Sequence, residues 1–193
     1  MTPEEMKIIK KSARILYPDD IKFLLMIELL LVCGFRINEE LHLKIMNVDF
    51  ETEIIRIIRK RNKIHQFYVG QEELMRRIQK YCMQNDITKP DDFIFPKDNM
   101  NNPYSYTTIT YIFRRIFEAA DLEYGRANGG FTTHDFRRTC ASSLSAQGLT
   151  LQEIADILGH NDVRQTADYI TPIIDDNTKA RRRKANSAAF NYK

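Results

Sequence analysis

Cysteine is scarce here: Cys33, Cys82 and Cys140 are an odd number among 193 residues, without the close spacing of metal ligands. That argues against a disulfide framework or a cysteine metal site and suits buried thiols in a reducing cytoplasm. A strong charge of one sign is also lacking, because 29 Lys and Arg face 26 Asp and Glu, a formal net charge of +3. So small an excess is a mild hint of polyanion binding, and where the basic residues cluster matters more than their total. The apolar run Phe23–Cys33 contains Glu28 and falls short of the ~20 residues of a membrane span, so it reads as a buried core helix. Residues 1–14 are charged and polar, so no signal peptide is expected there and the cytoplasm is the expected location. There is no internal repeat, low-complexity segment, P-loop or carboxylate cluster, and neither a cofactor nor a metal is expected. What remains is an ordinary globular composition, 43% hydrophobic and 28% charged, sized for one large domain or two small ones.

Helix signals dominate the chain. Thr2 as N-cap, Pro3 at the first helical position and Glu4 and Glu5 in the first turn open a helix over 3–14. Asp19 or Asp20 starts a second helix that Gly34 ends after Cys33. A short helix capped by Asn38 follows and leaves Arg36 in the bend, where Glu39 or Glu40 can pair with it. Between Val48 and Gly70 the period changes: VDFETEIIRII and IHQFYVG are strand-like, joined by a basic hairpin turn, RKRNK. The density of Lys and Arg from Arg56 to Lys63, with His65 alongside, suggests phosphate contact, although a solvated turn has the same composition. Residues 71–84 form an amphipathic helix with Arg76, Arg77 and Lys80 outward, and the FIF segment at 93–95 reads as an edge strand. A helix over 105–120 carries Tyr106, Tyr111, Arg114 and Arg115, its aromatics assigned to the core. The fold class expected is mainly α with a small antiparallel β-sheet.

The stretch from His134 to Tyr169 organises the rest. Thr132 or Thr133 caps a helix on which HDFR sets His134 and Arg137 on one face at i and i+3. After Gly148, Thr150 and Glu153 form a capping box with Leu149 and Ile154 at the staple positions, and IADIL ends at Gly159 with His160 in the turn. Asn161 or Asp162 then caps VRQTADYI, the segment carrying Tyr169. Two short helices and two tight turns thus gather four groups able to act on a phosphodiester: His134, Arg137, His160 and Tyr169.

HDFRRT, then LGH, then TADY, with CGFRINEELHL upstream, resembles the tyrosine recombinase (phage integrase) family, whose motifs run T-G-x-R-x-x-E, H-x-x-R, L-G-H and a tyrosine. The resemblance covers roughly 3–178. It implies that family's catalytic-domain fold over 1–178 with a basic tail over 179–193. Family members usually carry a helical DNA-clamping domain ahead of this part, and that core-binding domain is expected to be absent. It implies a site-specific recombinase that integrates, excises or inverts DNA, as the integrases of mobile elements do, through a covalent 3'-phosphotyrosine at Tyr169. Arg36 and Arg137 would hold the phosphate, His160 would add a hydrogen bond to it, and His134 would take and return the tyrosine proton. Glu39 resembles a buttress for Arg36. Arg59, Arg61, Lys63, Arg138 and Arg164 are the expected DNA contacts. The partners implied are double-stranded DNA, a homotetramer formed on it from free monomers, and accessory DNA-bending proteins. Two rival classes are a type IB topoisomerase and a DNA-binding factor that has lost catalysis. The LGH-to-tyrosine spacing and the intact catalytic set favour the recombinase.

The proton donor is where this chain departs from the family's G-K-G-N-K turn, since Arg59 and Arg61 replace both glycines. Arginine, with a pKa above about 12, cannot donate the proton. Lys60 and Lys63 remain, and Lys60 is assigned the acid role because flanking arginines should lower its pKa.

Overall fold

The computed structural model describes residues 1–59, 63–125, 129–160 and 162–170. Its centre is α2 (Lys22–Cys33), with Phe23–Ile27, Leu29, Leu30 and Cys33 buried. Asp20 Oδ1 accepts the Lys22 N–H at its start, and Gly34 closes it at φ 63°. A side chain at Gly34 would also stand 2.6 Å from Leu158 Cδ2 and 3.2 Å from Cys140 Sγ, so the bend requires glycine twice over. α1 (Pro3–Leu16), α4 (Glu72–Gln84) and α6 (Thr133–Ala146) pack around α2, and α5 (Tyr106–Glu118) packs on α1. Glu28, the one charge in the apolar run, is taken by Arg77 of α4 at 2.6 Å, so Arg77 is a tie between helices where an outward charge was expected.

The expected small antiparallel sheet is present and has three strands, β1 (Val48–Asp49), β2 (Ile54–Ile58) and β3 (Ile64–Tyr68), in that order. VDFETEIIRII is therefore two strands rather than one. Asp49 Oδ1 accepts the N–H groups of Glu51 and Thr52, an Asx turn, and Glu53 takes φ 56° before β2 starts. The FIF segment makes one isolated bridge, Lys44 to Phe93, and Ile94 and Phe95 are core residues beside it. On α5 the core face is Ile109, Phe113, Ile116 and Phe117. Tyr106 and Tyr111 are more than half exposed or close to it, against the expectation, because they fall on the opposite face. No described helix is long and apolar enough to cross a membrane.

α6, α7 (Leu151–Leu158) and α8 (Val163–Ala167) complete the chain as described. Cys140, Ala141, Ile154 and Leu158 form a second small core, against which Leu149 and Tyr169 pack.

Candidate active site

The site begins at the bend after α2. Arg36 stands at the start of α3 (Ile37–Leu41), and Glu39, not Asn38, satisfies that helix end by accepting the Arg36 N–H at 2.9 Å. Glu39 also holds the Arg36 guanidinium, Nη1 to Oε1 at 3.0 Å, with the arginine side chain 44% exposed. A phosphate can therefore reach Arg36 from solvent.

α6 supplies the second arginine. Asp135 Oδ2 accepts the Thr132 N–H at 2.8 Å, which fixes the start of the helix at Thr133 and turns Arg137 inward against α2. Arg137 is 1% exposed. It donates to Gly34 O at 2.6 Å, Leu158 O at 2.8 Å and His160 Nε2 at 3.2 Å. Three of the five guanidinium N–H groups are so engaged among the described residues. His134, one turn earlier, is exposed, so the HxxR pair shares a helix face at different depths.

His160 follows Gly159, the left-handed C-cap of α7. Because a guanidinium only donates, His160 Nε2 is the acceptor, and Nδ1 carries the proton to Thr166 Oγ1 at 2.7 Å. Both ring nitrogens are thus engaged, one with Arg137 and the other with Thr166 of α8. Asp162 caps α8 through the Arg164 N–H. Tyr169 lies just past α8, not within it, with its N–H on Thr166 O at 3.0 Å and its ring 5.3 Å from that of His160.

Two hairpin residues join this group. Arg59 donates from Nε and Nη2 to the two Glu39 oxygens, at 2.8 and 3.2 Å, and from Nη1 to Gly159 O at 2.7 Å. His65 Nε2 donates to Ile157 O at 2.8 Å. The sequence reading placed Arg59 in the basic turn and His65 beside it at the start of the second strand. The signal that finds them is the strand alternation: Ile55 and Ile57 on β2 with Arg59 just past it, like His65 and Phe67 on β3 with Val69 just past it, fall on the inward face. Lys63 is exposed, Arg138 is exposed near Asp168 O at 3.5 Å, and the Arg164 side chain is 94% exposed. Lys60, Arg61 and the tail over 179–193 lie outside the described residues.

A family model described as the phage integrase family matches residues 1–173. The chain belongs to the phage integrase family. Among curated members, a probable integrase/recombinase of Acholeplasma phage L2 is 26% identical over 144 residues, 75% of this chain and 47% of that one. The tyrosine recombinase XerA of Pyrococcus furiosus is 25% identical over 170 residues, 88% of this chain and 56% of that one. The chain spans about half the length of the curated relatives it matches. Its fold matches the crystal structure of XerA recombinase with a TM-score of 0.74 at 22% identity, over 98% of this chain and 63% of that one. It likewise matches the Tn1549 transposon integrase solved with transposon right end DNA, with a TM-score of 0.75 at 18% identity, over 96% and 65%. The expected tyrosine recombinase catalytic-domain fold is the observed one.

In this family member two guanidiniums, those of Arg36 and Arg59, converge on the Glu39 carboxylate. Burial alone would raise the Glu39 pKa, but the hydrogen bonds from Arg59 and Arg36 outweigh it and hold the carboxyl below its usual range. Burial, then the Arg137 and Arg36 charges, depress His160 to about 4, so its ring is neutral at physiological pH. Burial and the Arg36 charge bring Arg137 down to about 10, which leaves it cationic there.

Glu40, next to this cluster, is fully enclosed, and neither carboxylate oxygen has a hydrogen-bond partner among the described residues. Desolvation raises its pKa well above the usual value. The unfolded chain releases that proton from about pH 4 upward while the folded chain keeps it. Glu40 therefore opposes folding increasingly as pH rises above that value, at roughly 1 kcal/mol per pH unit until the folded pKa is reached. Glu40→Gln is expected to raise stability at pH 7–8 and to leave it unchanged or lower at pH 4, in denaturant titrations at both values. Equal effects at the two would contradict a protonated Glu40.

Proposed function

We propose that this chain is the catalytic part, over 1–178, of a cytoplasmic site-specific DNA recombinase working through a covalent 3'-phosphotyrosine. One observation carries the reading. Tyr169 lies against His160 and within the field of Arg137, the residue His160 accepts from, inside a single protomer. The solved structures of the Tn1549 transposon integrase with DNA and of a XerH recombinase on its substrate support DNA as the partner.

The reaction needs a nucleophile, charge stabilisation and a proton for the leaving oxygen. The Tyr169 oxygen forms a bond to phosphorus while the bond from phosphorus to the 5'-oxygen breaks. Arg36, open to solvent, and Arg137 stabilise the added charge on the phosphate oxygens. His134 accepts the phenol proton, and Lys60 protonates the 5'-oxygen. Resealing reverses these steps and conserves the phosphoester, with no external energy source. Arg61, Lys63, Arg138 and Arg164 contact the DNA backbone. The protein assembles from monomers into a tetramer on the DNA, with accessory DNA-bending proteins as further partners and the basic tail reaching a neighbouring protomer. The test is a duplex nicked near the cleavage position, which traps the adduct on a denaturing gel. Steady relaxation of a plasmid lacking any recombination site would instead indicate a topoisomerase, and binding without an adduct a lapsed DNA-binding factor.

Lys60→Ala is expected to slow cleavage of ordinary DNA by roughly 100-fold or more. It should cut nearly as fast as the parent protein when the bridging 5'-oxygen is sulfur, a leaving group that needs no proton. Arg59, one of the two arginines expected to depress the Lys60 pKa, is bound to Glu39. Rescue seen in Lys63→Ala alone would move the acid role to Lys63.

A further inference from the structure

We propose that Arg59 and His65 are positioning residues that latch the β2–β3 hairpin onto the C-terminal end of α7 and thereby hold His160 and Tyr169 against Arg137. This rests on the recombinase reading above and adds to it a part that neither the family match nor the sequence motifs assign. The last carbonyls of a helix have no intrahelical partner and carry the negative end of its dipole. Here three successive ones, Ile157, Leu158 and Gly159, each accept from a different element: His65 on β3, Arg137 on α6 and Arg59 after β2. The residue after this clamp is His160. Removing either hairpin donor frees a carbonyl at the point from which the nucleophile segment departs.

Arg59 has a second hold. Its fork on Glu39 places it opposite Arg36 on the same carboxylate, so Arg36, Glu39, Arg59, Gly159 and His160 form one continuous chain of contacts. The buried Phe67 ring is the shelf beneath both donors, 5.5 Å from the Arg59 guanidinium and 4.5 Å from the His65 ring. Space allows nothing else there, because a side chain on Gly159 would collide with Arg59. Arg59 is enclosed (side chain 16% exposed) and bonded through all three nitrogens. It therefore acts on the catalytic group rather than on the DNA backbone, the role its place in a basic turn first suggested.

The test compares Arg59→Ala, Arg59→Lys and His65→Phe with the parent protein in two measurements. In single-turnover cleavage of nicked DNA at saturating protein, Arg59→Ala should be slowed on the order of 100-fold, the size expected of a small misplacement of reacting groups. Its DNA dissociation constant and salt dependence should stay within about twofold. Arg59→Lys keeps the charge but cannot bridge Glu39 and Gly159 together, so it should remain at least about 10-fold slow, and His65→Phe should fall between. In the DNA-free protein, NMR titration should show the His160 pKa rising from about 4 in Arg59→Lys as well as in Arg59→Ala, since lysine keeps the neighbouring cation and only the loosened ring seat is left to move it. A backbone contact would behave differently: weaker DNA binding, a salt slope reduced by about one, and an unchanged cleavage rate at saturation. That pattern, an unmoved His160, or full activity in Arg59→Lys overturns the latch. If the parent protein forms no adduct, the recombinase reading fails, and the His160 titration still decides whether the latch exists.

Discussion

Tyr169→Phe is expected to fold, to bind DNA as the parent does, and never to become covalently attached to it. The phenol ring packs against the small core of Cys140, Ala141, Ile154 and Leu158 and beside the His160 ring. Phenylalanine preserves all of that contact, and the one loss is the oxygen that would bond to phosphorus. Removing a nucleophile from an assembled site costs on the order of 10^4-fold or more, so adduct should fall below detection. Tyr104, Tyr106 and Tyr111 are poorly placed to substitute. Tyr104 is buried with its ring edge against Phe23, and Tyr106 and Tyr111 lie exposed on or near α5, ahead of the HDFRR helix. Adduct persisting in Tyr169→Phe on a denaturing gel would remove Tyr169 from the role.

Arg137 should show the largest combined loss. Its side chain bridges the bend after α2, the end of α7 and His160 while almost fully enclosed. Arg137→Ala leaves the Gly34 and Leu158 carbonyls buried without their donors and opens a cavity. Each orphaned acceptor costs about 1–3 kcal/mol, so the total should be roughly 3–5 kcal/mol. For a chain of this size that corresponds to a thermal midpoint lower by about 10 °C. Arg137→Lys keeps the charge, but a single nitrogen cannot reach the acceptors that Nε, Nη1 and Nη2 meet separately, so part of the stability loss remains. Cleavage should fall at least about 10^3-fold in both variants, measured at a temperature where each is folded, because the planar fork on the phosphate is lost with the guanidinium. A variant cutting at the parent's rate would show that Arg137 serves the fold alone.

Much of this arrangement is legible in the residues. Thr2, Thr150 and Glu153 cap the helices where their types predict, and Gly34 and Gly159 end α2 and α7 in the left-handed conformation. The HxxR, LGH and tyrosine motifs mark the residues that the fold gathers. What was hidden depends on tertiary contacts. Glu39 and Glu40 are adjacent and chemically alike, yet one carries two arginines while the other is sealed without a hydrogen-bond partner among the described residues. Nothing local distinguishes them. Arg59 looked like turn charge because its bond partners lie 20 and 100 residues away in sequence. The FIF segment had strand composition but met one bridge partner, so burial of Ile94 and Phe95 decided its shape. Tyr169 fell outside α8 because that helix ends at Ala167, one turn after Asp162 starts it.

The central claim is that Tyr169 becomes joined to a DNA 3'-phosphate, and the direct measurement is mass spectrometry of the trapped adduct. The parent protein is incubated with the nicked duplex, the DNA is trimmed with nuclease, and the protein is digested. The account predicts a single modified peptide containing Tyr169, bearing a nucleotide through its 3'-phosphate, with a free 5'-hydroxyl on the released strand. A nucleotide on any other residue, or a link through a 5'-phosphate, would contradict it.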